Sequence, residues 1–353
     1  MLGREGVDND GDGKVNEDGD GYYDPNRDWP WQWQPAHVQR GAYRYPLSVP
    51  ENRIAANFIL DHPNIAGGQS YHNTGGMILR GPGGKNSKYD GADVRVFDKI
   101  AKTGEEMLPG YRYLTVNSQL YVVYGGELDW LYAMRGAVTY TNELFTPFNF
   151  FRQHSDDPGF FGNEETRARF NKYLLFDDGF VKWHEVDHPQ YGKIEVGGIK
   201  KNWMRQPPSF LLEEECHRNM AFTLYHADQM PLVKLQSVDT RPLEGGLTEV
   251  TATIRNQRVI PTRLAVDVKN KITPPDIVSI TGENLKVIVG MKSNDRFFQR
   301  PTEQKRHPSQ IRINTINGNS VVYIRWIVSG DGPFTVTAKS IKGGSDTMRI
   351  EKK

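Results

Sequence analysis

A single cysteine, Cys216, occurs in the 353 residues. One thiol rules out an intrachain disulfide framework, a Cys-rich zinc module and an iron–sulfur cluster held by this chain alone. Neither charge is in excess, since 44 Lys and Arg face 43 Asp and Glu for a formal net charge of +1. That balance offers no electrostatic reason to expect nucleic acid or an anionic membrane as the main partner. No apolar run approaches the roughly eighteen residues that a spanning helix needs. The opening Met1-Leu2-Gly3-Arg4-Glu5 lacks a basic start followed by an apolar stretch, so no signal peptide is visible. Gly-x-Ser-x-Gly is absent, which removes the commonest serine-hydrolase signal. The run Gly81-Pro82-Gly83-Gly84-Lys85-Asn86 has its first glycine misplaced for a phosphate loop and no Ser or Thr after the lysine. It reads as a turn-forming loop.

What remains is ordinary globular composition, with 37% hydrophobic and 25% charged residues, in a chain long enough for two domains. Residues 1–47 show no periodicity and are rich in Asp, Gly, Asn, Pro and Trp, a loop region organised by packing or ligands. Ser48-Val49-Pro50-Glu51 then reads as a capping box, with Ile54, Ala55, Phe58 and Ile59 on one helical face. A second helix is expected over 93–107, where Val94, Phe97, Ile100 and Ala101 recur at helical spacing, and others at 164–175 and 209–228. Gln119–Tyr124 and Ala137–Leu144 suit strands. After Pro231 the texture changes to short β-rich runs, 248–254, 264–268, 321–328 and 334–338, with Ser329-Gly330-Asp331-Gly332 as a hairpin connection between the last two. The expected fold class is α/β, a mixed sheet flanked by helices over residues 1–230, followed by a small all-β sandwich over 231–353.

Three acidic residues, Asp8, Asp10 and Asp12, alternate before the turn-permitting Gly13, and Asn16 follows. The spacing matches the early positions of a calcium loop, although position twelve is Gly19 rather than Glu. A structural calcium ion is expected there; the plainer alternative is a solvated acidic turn.

Further along lie Asn26-Arg27 among tryptophans, then His72 in Ser70-Tyr71-His72-Asn73-Thr74-Gly75-Gly76. Next come Tyr121 in Tyr121-Val122-Val123-Tyr124, then Gly125-Gly126-Glu127-Leu128-Asp129-Trp130, then Glu143-Leu144 at the end of a strand pattern. Taken singly, these residues suit structural roles: Glu143 a sheet-end carboxylate paired with an arginine, Tyr121 a packed aromatic, His72 a hydrogen-bonded core residue. In this order and spacing, with Tyr121 eight residues before Asp129 and Glu143 fourteen after it, they resemble the M14 zinc carboxypeptidases. The likeness is strong over about residues 8–150 and looser to about 230, in the manner of larger bacterial members.

The resemblance implies a carboxypeptidase fold in which His72 is the third zinc ligand and Glu143 the general base for the metal-bound water. It implies that Asn26 and Arg27 bind the substrate's terminal carboxylate and that Tyr121 closes over it. Leu128 falls where side-chain preference is set, hinting at neutral or apolar terminal residues. The implied substrates are peptides or peptidoglycan stem peptides, and the implied location is secreted or periplasmic. The family's His-x-x-Glu, which carries its other two zinc ligands, occurs nowhere in this sequence, and the oxyanion arginine lies in the same upstream part of the family pattern. Residues 1–353 are therefore expected to be a piece without the first third of the domain, with zinc belonging to the full-length form and no activity here. A non-catalytic peptide or cell-wall binder that keeps the carboxylate clamp is the alternative. His184 and His188 sit beside Pro189 and turn residues, where a loop is expected, and His217 and His226 lie nine apart on a helix, on nearly opposite sides. Neither pair is expected to hold zinc.

Overall fold

The computed structural model describes residues 23–146, 148–152, 164–200, 203 and 205–351. Four strands build the first sheet: β1 (Gly67–Asn73), β2 (Met77–Arg80), β3 (Arg112–Thr115) and β4 (Val138–Leu144), in the spatial order β1-β4-β2-β3. β1 runs parallel to β4 and β2 parallel to β3, whereas β2 and β4 are antiparallel, so the sheet is mixed. Successive side chains of a strand point to opposite faces. Ile78, Val138 and Tyr140 turn toward Phe97, Ile100 and Ala101 of α2 (Gly91–Met107) and Phe222 of a later helix, Ser209–Asp228, numbered α7 below. Met77 and Leu79 turn the other way, toward Val116 and Leu128. On that side α1 (Pro50–Asp61) and α4 (Glu127–Arg135) meet through Ala56, Trp130 and Leu131, joined by Trp29.

Each helix has local reasons to begin and end. The Asp90 carboxylate accepts the Ala92 N–H at 2.8 Å and caps α2. Gly104 lets α7 approach closely, because a Cβ there would lie 2.6 Å from the Phe222 ring. α4 stops at Gly136, whose φ of 57° is a left-handed C-terminal cap. α1 departs from expectation. Ser48 does not cap it but donates its hydroxyl to Asp28 at 2.9 Å, and the buried positions are Asn52 and Ala56, leaving Ile54 and Phe58 70% and 60% exposed. The helix is rolled so that Asn52 can donate to the Pro25 carbonyl at 2.6 Å, and this polar contact with the preceding loop sets the inward face.

The stretch 119–124 is not a strand. Val116–Gln119 makes one helical turn, α3, after which the Tyr121 N–H returns to the Val116 carbonyl and the Val123 N–H reaches the Gly83 carbonyl. The chain is thereby tied to the glycine loop instead of entering the sheet. Between β4 and α7 come short helices α5 (Phe148–Phe151) and α6 (Glu164–Leu174) and an exposed hairpin of β5 (Phe180–His188) and β6 (Gly192–Ile199).

Two antiparallel sheets follow. One has the order β11-β10-β13-β8-β7, from β7 (Val233–Pro242), β8 (Leu247–Asn256), β10 (Lys286–Ser293), β11 (Thr302–Glu303) and β13 (Val321–Ser329). The other has the order β12-β9-β14-β15, from β9 (Asp276–Gly282), β12 (Gln310–Ile313), β14 (Phe334–Ser340) and β15 (Gly344–Ile350). Burial alternates along β8 and β13, and Val250, Ile254, Ile324 and Trp326 of the first sheet share one core with Val278, Ile280, Ile311 and Val336 of the second. This is the layout of a β-sandwich. The connection 329–332 is not a hairpin, because β13 and β14 lie in different sheets; it carries the chain across the sandwich, helped by Gly330 at φ 115°. Nor is 264–268 a strand. The Asp93 carboxylate accepts the N–H groups of Ala265 and Val266 at 2.7 and 3.0 Å, fixing the start of a short helix, α8 (Ala265–Asn270).

Candidate active site

His72 and Glu143 are direct partners in the parallel β1–β4 ladder, one residue from the carboxyl end of each strand, so their side chains share a face. Ligand sites of open α/β sheets commonly form at such strand ends. Beyond β1 the chain reverses through Gly75 and Gly76, and the Gly76 N–H donates to the Glu143 carbonyl at 2.9 Å. A Cβ on Gly76, at φ 66°, would meet Thr146 at 2.4 Å, so the turn needs glycine.

Asn26 and Arg27 belong to a short 3₁₀ turn, Pro25–Arg27, begun by Asp24, whose carboxylate accepts the Asn26 N–H at 2.8 Å. Arg27 pairs with Asp24 at 3.5 Å and donates to the Asn26 carbonyl at 2.7 Å. The Asn26 side-chain oxygen accepts the Glu127 N–H at 2.9 Å, joining this turn to the first turn of α4. Gly125, at φ 67°, permits the contact, since a Cβ there would lie 2.6 Å from the Arg27 carbonyl oxygen. Asp28, fully buried, accepts bonds from Ser48 and from the Val49 N–H, and so anchors the turn to the foot of α1.

The structure brings Asn26, Arg27, His72, Tyr121, Leu128 and Glu143 to the wall of one cavity of about 110 Å³. Leu128 forms an apolar wall with Leu79 and Val116. Tyr121 stands at the rim, half exposed. Sequence reasoning did not assign three further lining residues, Asp24, Thr141 and Asp129. Asp129 had a signal, its place in Gly-Gly-x-x-Asp-Trp; buried beneath the cavity, it accepts the Gly83 N–H and the Tyr89 hydroxyl, both at 2.9 Å. Thr141 had none beyond strand alternation, which places it two residues before Glu143 on the same face.

Burial governs the titration of this site. It lowers the pKa of His72, opposed by the Asp24 carboxylate and reinforced by the Arg27 guanidinium, so the imidazole is neutral at neutral pH. Burial raises Glu143 to about 7, against the pull of Arg205 and then Arg27. Burial likewise raises Asp129, opposed by its hydrogen bonds.

A neutral imidazole is the form that coordinates a metal. Among the described residues, however, no group of three His, Cys, Asp or Glu is placed to hold a metal ion. A catalytic zinc takes three protein ligands. The described residues, with one imidazole in the cavity, therefore do not fit a zinc site by themselves. His184 and His188 lie on β5 rather than in a loop, four residues apart on one face and about 13 Å from each other along the strand, too far to share an ion. On α7, His217 is exposed, while His226 is buried against Tyr140 and pushed down to about 4 by that burial. Asp8, Asp10, Asp12 and Asn16 lie outside the described residues.

Residues 12–157 match the family described as zinc carboxypeptidase, peptidase M14. Residues 232–351 match a domain of unknown function, DUF8731. Among solved structures, thrombin-activatable fibrinolysis inhibitor is similar at 21% identity over 34% of each chain, with a TM-score of 0.30. Carboxypeptidase A from Helicoverpa armigera is similar at 23% identity over 44% of this chain and 40% of its own, with a TM-score of 0.30. The bovine inhibitor in complex with tick carboxypeptidase inhibitor is similar at 19% identity over 44% of this chain and 57% of its own, with a TM-score of 0.31. The chain thus spans between a third and somewhat over half of the structures it matches. No curated protein matches it. No helix among the described residues is long and apolar enough to cross a membrane.

Proposed function

We propose that the cavity is the substrate-holding and proton-handling part of a metallocarboxypeptidase site. Arg27 and Asn26 receive the terminal carboxylate of a peptide, the guanidinium through a charge-assisted pair. Leu128 lies against the terminal side chain and favours neutral or apolar residues, while Tyr121 closes the rim. Glu143 takes and returns a proton, for which a pKa of about 7 is well matched to neutral pH. Among the described residues, His72 is the imidazole that this cavity offers to zinc. The observation that carries this reading is the convergence of these six side chains on a single cavity of about 110 Å³.

The substrate class is peptide C-termini, peptidoglycan stem peptides included, and a secreted or periplasmic location belongs to the same proposal. Residues 231–353 act as an accessory domain to a catalytic region over 1–230. The acidic loop at Asp8, Asp10, Asp12 and Asn16 holds a structural calcium ion. Hydrolysis needs metal donors beyond the single imidazole that the described residues bring to the cavity, so the 353-residue chain is expected to leave C-terminal peptide bonds intact. A second reading, a non-catalytic peptide or cell-wall binder with the same carboxylate clamp, draws support from the lack of a three-donor cluster among the described residues.

Calorimetry with a blocked dipeptide bearing a free C-terminal carboxylate tests the clamp: binding should occur and should weaken about tenfold or more in Arg27→Gln. Binding indifferent to Arg27 would remove the basis for both readings. Adding zinc to the 353-residue chain and to a form extended by a His-x-x-Glu segment, then following hydrolysis, separates them. Cleavage by the extended form alone supports the peptidase, and cleavage by neither supports the binder. Zinc-dependent cleavage by the 353-residue chain would contradict the single-donor account.

A further inference from the structure

We propose that the edge of the sandwich formed by β11 and β12 is a docking surface for an anionic phospholipid bilayer. The inference concerns residues 286–312 and is independent of the cavity and its clamp. β11 ends one sheet and β12 the other, and both lie on the same side, because β15 packs against β7 at the opposite edge. Lys292 joins the two sheets there, its ammonium donating to the Arg312 carbonyl at 2.6 Å.

The near-neutral net charge of the chain hides an uneven distribution. Residues 292–312 carry six basic side chains, Lys292, Arg296, Arg300, Lys305, Arg306 and Arg312, against two acidic ones, Asp295 and Glu303, so the rest of the chain is net acidic. The last five of the six are exposed, and none of the six forms an ion pair with another described residue. Their backbone is tied to both sheets. The Gln304 N–H donates to the Gly290 carbonyl at 2.8 Å, the Trp326 indole N–H to the Pro308 carbonyl at 3.0 Å, and the Ile280 N–H to the Ser309 carbonyl at 3.0 Å. The cations therefore project from a braced ribbon.

At one end of this ribbon the chain displays an aromatic ring. The Asp295 carboxylate accepts the N–H groups of Phe297 and Gln299 at 3.2 and 2.9 Å, and so its two oxygens are engaged inside the loop. Phe298 turns inward beneath Arg325, whose guanidinium carbon lies 3.9 Å from the ring centroid. Its neighbour Phe297 is left 77% exposed, between the exposed Arg296 and Arg300 in sequence. Ile288, at the bulge of β10 between Val287 and Val289, is likewise exposed. A soluble polyanion would pair with the cations but offers no apolar phase to Phe297 and Ile288. An anionic bilayer supplies both, a negative surface for Lys and Arg and an acyl boundary for apolar side chains.

The test sediments the 353-residue chain with vesicles of phosphatidylcholine, either alone or with about 30% phosphatidylglycerol, at about 0.1 M salt. The chain should bind the anionic vesicles and not the neutral ones, and about 0.5 M salt should release it. Arg300→Gln and Arg306→Gln should each weaken binding roughly fivefold, and Phe297→Ser about tenfold. Lys182→Gln, the same change of charge on the exposed β5, should leave binding unaltered, which separates this edge from net charge. Equal binding to both vesicles, or anionic binding indifferent to Arg300 and Arg306, would overturn the proposal. So would retention on heparin or single-stranded DNA without binding to anionic vesicles, which would assign the edge to a soluble polyanion. All four substitutions are of exposed side chains, and circular dichroism checks that each variant keeps its fold.

Discussion

Glu143 makes the stability of the fold depend on pH in a way that Glu143→Gln should abolish. In the unfolded chain its carboxyl has the ordinary value of 4.5, and burial in the fold raises it to about 7. Below 4.5 the group is protonated in both states, and the stability associated with its tighter hold on the proton is fully present. Between 4.5 and 7 the unfolded chain ionises while the fold keeps its proton, so stability is lost as pH rises, and the loss is complete above 7. The gap between the two values corresponds to about 3 kcal/mol, an upper bound because solvent reaches part of the side chain. Glutamine has no proton to lose, so the variant lacks this component at every pH. Urea unfolding of both proteins from pH 4 to 8, with a chelator present, measures the effect. The variant should gain about 2–3 kcal/mol relative to the wild type on passing from pH 4.5 to 7.5. Two stability curves that remain parallel through this window would refute the claim that Glu143 is desolvated in the cavity.

Asp129→Ala removes the acceptor for the Gly83 N–H and the Tyr89 hydroxyl beneath the cavity, and should cost about 2–4 kcal/mol in urea unfolding. Lys342 donates to the carbonyls of Arg135 and Gly136, both at 2.7 Å, and to Asp267 at 2.8 Å, connecting the end of α4 to the β14–β15 turn. Lys342→Met leaves Asp267 with less compensation and should destabilise by about 3–5 kcal/mol, with calorimetric unfolding splitting into two transitions as the regions uncouple. Millimolar calcium should raise the melting temperature of the wild type, and Asp10→Asn should reduce that rise; identical melting curves with calcium and with chelator would dismiss the ion.

Local patterns were legible wherever one face of an element decides its type. Phe97, Ile100 and Ala101 mark α2 by helical spacing, and alternation along Thr248–Ile254 and Val321–Val328 marks β8 and β13, because burial on one side imprints its period on the chain. The order and spacing of Tyr121, Asp129 and Glu143 were equally readable, since the loop after α3, then α4 and β4, carry them in one short continuous segment. What covers each face is a different matter. Ile54 and Phe58 have the right spacing for an inward face, yet the polar grip of Asn52 on the Pro25 carbonyl turns them outward. Residues 264–268 read as a strand, but Asp93, about 170 positions earlier in the chain, captures the N–H groups that start a helix. The Gly330 turn looks the same in sequence whether it closes a hairpin or crosses between sheets; the partners of β13 and β14 decide it. Sequence by itself determined the periods and the order of the residues that line the small cavity, because these depend on neighbours a few positions away. Only the tertiary structure decided which faces meet and which charges share a cavity, because those contacts join segments that the chain order keeps far apart.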